Sequence, residues 1–124
     1  MNSKVFMVIR ILLGLFVLVF GLNKFLNFLP APEVSGDAGA YFGALVSSKT
    51  IMLVALVEVL AGLALLLNKF GALMAVILMS VSVCAVLFHA TLAPEGIGPA
   101  LGLLILNVLT LIGYKDRYKD ILKA

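Results

Sequence analysis

Four long apolar stretches divide the chain: Val5–Phe28, Ile51–Leu67, Phe70 to about His89, and about Gly98–Tyr114. Each is apolar on all sides rather than alternating with polar positions, and each is close to the roughly 20 residues that carry a helix across hydrocarbon. Strands would leave unpaired edges facing lipid, where no water can satisfy them. The pattern predicts an all-α integral membrane protein, an antiparallel bundle of four transmembrane helices over about 5–28, 50–67, 70–90 and 98–114 in a single domain spanning residues 1–124.

The breaks define the connections. Asn68 and Lys69 alone interrupt the second and third runs, a tight helical hairpin. Pro94 to Pro99 contains Glu95, Gly96 and Gly98, a turn whose last proline suits the first position of the fourth helix. The longest connection, 29–48, carries Pro30, Pro32, Gly36 and Gly39, with Glu33 and Asp37 as its charges. Within it Ala38, Tyr41, Phe42 and Leu45 recur at helical spacing, predicting a short amphipathic helix in the membrane interface. A simple interfacial aromatic anchor is the alternative reading.

Composition strengthens the membrane assignment. Of 124 residues 64% are hydrophobic and 12% charged, with a mean hydropathy of +1.24, whereas soluble domains are about 45–50% apolar. A soluble chain of this length would have to present much of that apolar surface to water. Lys4 and Arg10 ahead of an apolar run resemble a signal peptide, but Asn23, Lys24 and Pro30 stand where a small-x-small cleavage site belongs, so the first helix is expected to be retained. Cys84 is the only cysteine, which excludes an intramolecular disulfide or dithiol chemistry, and it reads as a buried small hydrophobe.

Charge sets the orientation. Lys4, Arg10, Lys69, Lys115, Arg117, Lys119 and Lys123 fall on one side and Lys24 and Lys49 on the other, a split of seven to two that assigns both termini to the cytoplasm. The basic tail, 115–124, reads as a membrane-surface segment, with membrane lipids as its partners rather than nucleic acid.

Inside the spans, charged and polar side chains are costly, so each needs a partner or a purpose. Lys24 lies nineteen residues after Val5 and His89 nineteen after Phe70, about 28 Å along their helices. Glu58 lies nine residues after Lys49 and Asn107 eight after Pro99, about 12–14 Å below the outer surface. Because helical side chains lean toward the N-terminus, all four converge on the outer half. The natural pairing is Lys24 with Glu58, directly or through a water or ligand, with His89 and Asn107 completing a polar pocket. Arg10 sits nearer the cytoplasmic end; snorkelling to lipid phosphates is its default reading, and reaching Glu58 from below the alternative.

Bland readings stand beside these. Asn107, Ser80 and Ser82 are the residue types that join membrane helices, and Lys24 alone would pass as an interfacial anchor. His89 near a helix end would serve equally as a cap for carbonyls. Glu58 has no such routine role. Gly14, Gly21, Ala61, Gly62, Gly71, Ala72 and the Gly98-x-x-x-Gly102 pair are small residues that let helices approach.

Arg10 and Gly14, Gly21 with Lys24 and Phe25, Glu58 with Gly62, and His89 closing the third helix together resemble the DoxX family, in an order that spans nearly the whole chain. The resemblance implies a small bacterial inner-membrane protein, associated in several members with quinone-linked oxidation of sulfur compounds or with oxidative-stress enzymes. It marks Lys24, Glu58 and His89 as the site. The expected role is a quinone-pocket or electron-transfer accessory subunit, with Lys24 and His89 donating to ring carbonyls and Glu58 exchanging protons. It would act as a homo-oligomer or within a larger membrane oxidoreductase complex rather than as an autonomous enzyme. A small transporter or binder of a lipophilic or anionic molecule and an assembly factor are the alternatives. One histidine excludes bis-histidine haem within one chain, and Glu58 with His89 is too sparse for a metal.

Overall fold

The structure, a computed structural model, describes residues 1–30 and 34–124. Pro32 and Glu33 of the long connection lie outside the described residues. Five helices follow one another: α1 (Ser3–Leu26), α2 (Gly36–Ser47), α3 (Thr50–Leu67), α4 (Gly71–Thr91) and α5 (Ile97–Gly113). Short 3-10 turns at Pro94–Gly96 and Lys115–Tyr118 flank α5. Four helices are long and apolar enough to cross a membrane: α1, α3, α4, and α5 with its preceding turn.

The helix ends follow from local chemistry. Asn2 caps α1, its Oδ1 accepting from the Lys4 amide at 2.8 Å, and Asn27 ends α1 in the left-handed region at φ 53°. Asn68 ends α3 the same way at φ 52°, which turns the chain into α4 within three residues. Pro99 is the third residue of α5 rather than the first, since the turn at Pro94 starts that helix earlier. Its missing N–H is harmless there, because the first N–H groups of a helix have no partner within it.

Small residues set the tightest packing. A Cβ on Gly62 would lie 2.8 Å from the Leu18 Cβ and 2.9 Å from the Gly14 carbonyl oxygen, and one on Gly21 would lie 2.9 Å from the Glu58 Cβ. Glycine at these positions lets the backbones of α1 and α3 approach to a separation that any larger residue would prevent. Leu13, Val17, Ala61, Leu65, Leu78 and Leu103 fill the centre of the bundle. Leu53, Leu60, Leu73, Leu87 and Ile105 face outward, as lipid-facing residues must. Gly98 and Gly102, expected to bring helices together, meet no neighbouring atom within 4 Å of a Cβ built on either. Their motif permits a close approach, and none of the described helices makes one there.

A second feature escapes the apolar pattern altogether. The Tyr114 hydroxyl donates to the Asn68 Oδ1 at 2.6 Å, and the Tyr118 hydroxyl donates to the Ala72 carbonyl at 2.7 Å. The Tyr114 ring meets Phe6 edge-on, with centroids 4.9 Å apart, and covers Gly71. The residues after α5 are thereby bolted to the α3–α4 hairpin and to the start of α1.

Candidate functional site

Gly21 and Lys24 are three residues apart, so they share a face of α1. The close approach at Gly21 brings the backbone of Glu58 against that face, and the Lys24 side chain, at the last turn of α1, reaches across to it. The ammonium Nζ lies 2.6 Å from the Glu58 Oε1. The pair is asymmetric: the Lys24 side chain is 24% exposed and that of Glu58 only 3%. The distance is that of a close, charge-assisted ion pair, and Lys24 is the one partner of Oε1 among the described residues. A carboxylate oxygen accepts up to two donors, and Oε1 therefore has unused capacity. Nζ carries three hydrogens, and its other contact is a long one of 3.5 Å to the Phe20 carbonyl.

The remaining expected residues are held elsewhere. Arg10 is buried, with Nη1 donating to the Leu65 carbonyl and, at 3.4 Å, to that of Leu66. It neither snorkels to phosphates nor meets Glu58. It caps the last turn of α3, where unpaired carbonyls and the helix dipole favour a cation.

Asn107 joins α5 to α4: its Oδ1 accepts from the Ser82 hydroxyl at 2.6 Å, and its Nδ2 donates to the Ala75 carbonyl at 3.0 Å. This is the helix-joining role. Ser80 bonds within its own helix, to Ile77 at 2.8 Å. His89 Nδ1 lies 3.1 Å from the Ala93 carbonyl, and the ring packs on Gly96, so the histidine braces the turn between α4 and α5. Cys84, expected to be buried, is exposed and lines a groove of about 130 Å³ with Tyr41 and Phe88, whose rings stack at 5.3 Å. A thiol is apolar enough to face lipid, so exposure there costs little.

Lys24 and Glu58 are thus the pair brought into contact, while Arg10, Asn107 and His89 each satisfy backbone or side-chain partners of their own. Phe6 and the two tyrosines Tyr114 and Tyr118 have no role in the sequence reading, and Asn68 has only that of a hairpin break. Their one signal is the four-residue spacing of the tyrosines, which puts both hydroxyls on one side of a helical turn.

The family described as DoxX matches residues 5–91. The chain belongs to the DoxX family. Neither a curated protein nor a solved structure matches it. The DoxX match covers α1 through α4, so it includes Arg10, Lys24, Glu58 and His89, whereas α5 with Asn107 and the tyrosine-bound tail lie beyond it. With its four apolar helices, this DoxX member is a multi-pass membrane protein.

Proposed function

We propose that Lys24 and Glu58 form the head-group site of a quinone-binding, electron-transfer accessory subunit of a membrane oxidoreductase system. The observation that carries this reading is the buried Glu58 carboxyl, 3% exposed within a membrane-spanning helix, whose close partner is the part-exposed Lys24 ammonium. An ionisable side chain buried at membrane depth is costly, and such residues mark functional sites in membrane spans. A quinone would supply the redox chemistry. Lys24, partly exposed, would donate to a quinone oxygen, and Glu58 would hold or release a proton at Oε1. Cys84 is the lone thiol, so electrons would pass to and from partner subunits rather than through a dithiol of this chain.

The same reading puts the bundle in the bacterial inner membrane with cytoplasmic termini. Gly14 packs on Gly62 and Gly21 on Glu58, so contacts run in opposite order along α1 and α3, which supports an antiparallel bundle. The seven-to-two division of cations supports the orientation. α2 has an apolar side on which Ala38 is buried and Tyr41 stacks on Phe88, in keeping with a helix lying in the outer interface.

A second reading rests on the packing itself. Gly21 fits Glu58 so closely that the ion pair would also serve to fasten α1 to α3 during assembly. Mass spectrometry of organic extracts from gently purified wild type and Glu58→Gln separates the two. A stoichiometric quinone, lost in a variant that still folds, supports the redox site. Bulk lipid alone in both samples leaves the assembly reading.

A further inference from the structure

We infer that the end of the bundle organised around Tyr114 is a built site for the phosphate headgroups of anionic phospholipids. Three exposed cations border this clasp: Lys69 follows Asn68, which accepts the Tyr114 hydroxyl; Lys115 is the residue after Tyr114; and Arg117 immediately precedes Tyr118, whose hydroxyl donates to the Ala72 carbonyl. All three are exposed, and none has an acidic partner among the described residues. Lys119 and Lys123 differ, each being matched to an aspartate, at 3.5 and 3.4 Å.

Loose basic tails are common at membrane surfaces, but this one is held. Two buried tyrosines tie the turn at Lys115–Tyr118 to the hairpin through side-chain hydrogen bonds of 2.6 and 2.7 Å. The cations of the tail and that of the hairpin are therefore kept near one another before any anion arrives, which removes part of the ordering cost of binding.

The surroundings select a lipid over a dissolved anion. Phe70 is 78% exposed, Ile121 74% and Leu122 77%, and they come from the same hairpin and tail as the unpaired cations. Such side chains beside cations suit the boundary between acyl chains and headgroups, where each finds its own solvent.

The full-length protein in bilayer nanodiscs of phosphatidylcholine with a minority of labelled phosphatidylglycerol tests this through the local enrichment of the label. Wild type is expected to enrich it. Each cation near an anionic surface contributes about fivefold, so Lys69→Gln/Lys115→Gln/Arg117→Gln should reduce enrichment tenfold or more. Tyr114→Phe/Tyr118→Phe keeps every charge and should still lose several-fold, because the tail is no longer held to the hairpin. Wild-type labelling no higher than the bulk ratio, or full enrichment by the tyrosine variant, would overturn the proposal. So would displacement of the lipid by inorganic phosphate, which would mark a site for soluble anions. If the tyrosine variant fails to unfold cooperatively, the charge variant decides alone, since its substitutions are all on exposed side chains.

Discussion

Removing one partner of the Lys24–Glu58 pair should have very unequal effects, depending on which partner is removed. In Lys24→Met the carboxylate remains 3% exposed against Gly21 with no cation nearby. Stranding a buried charge in this way costs about 3–5 kcal/mol. In Glu58→Leu the survivor is an ammonium that is already 24% exposed, on the last turn of α1. Its flexible stem can carry the charge to the headgroups, so the loss should be roughly 1 kcal/mol. Combining the two, Lys24→Met/Glu58→Leu, replaces the pair with apolar groups and should recover most of the Lys24→Met loss. Equilibrium unfolding in mixed micelles, followed by far-UV circular dichroism, measures all three. A Glu58→Leu variant as unstable as Lys24→Met, or a double variant no better than Lys24→Met, would refute the argument that burial asymmetry governs this pair.

Three further outcomes follow from features elsewhere. Gly62→Ala should destabilise the bundle by about 1–3 kcal/mol through overpacking against Leu18 and the Gly14 carbonyl, while Gly102→Ala, facing open space, should leave the same unfolding curve unchanged. Burial raises the hydroxyls of Tyr114 and Tyr118 above their ordinary range, partly offset at Tyr114 by Arg10 and Arg117 and reinforced at Tyr118 by Tyr114. Their contribution to stability should be fully present below about pH 10 and be lost as pH rises through the raised values, a step that Tyr114→Phe/Tyr118→Phe should abolish in alkaline titrations of the unfolding midpoint. A reporter fused after Ala124 should be active only in the cytoplasm and one inserted at Gly43 only outside; the reverse result would invert the orientation.

The parts of the architecture that were legible are those that depend on one dimension. Apolar run lengths reveal four spans because hydrocarbon thickness is a length, and residue counts from the run ends put Lys24 and Glu58 within reach of one another. Counting fixes depth but not azimuth. It therefore groups Asn107 and His89 with the ion pair by level and leaves Arg10 to snorkel, whereas the helix faces direct Asn107 to Ser82, His89 to Ala93 and Arg10 to the α3 carbonyls. Cys84 was misjudged because the association of apolar character with burial holds in water and lapses in lipid. The tyrosine clasp was illegible for a different reason: its acceptors are the Asn68 side chain and a backbone carbonyl, brought within reach by a hairpin distant in sequence.

The pairing of α1 with α3 bears on how the chain enters the membrane. Synthesis delivers α1 first, with Arg10 and Lys24 on it, and a cation costs up to about 2.5–3.5 kcal/mol at the bilayer centre and less toward the helix ends, where these two lie. Their partners, the Glu58 carboxylate and the carbonyls of Leu65 and Leu66, all belong to α3. A nascent α1 can lie in lipid by virtue of its apolar length, but its polar side chains find their partners only when α3 arrives beside it. The two helices should therefore leave the insertion machinery as a unit.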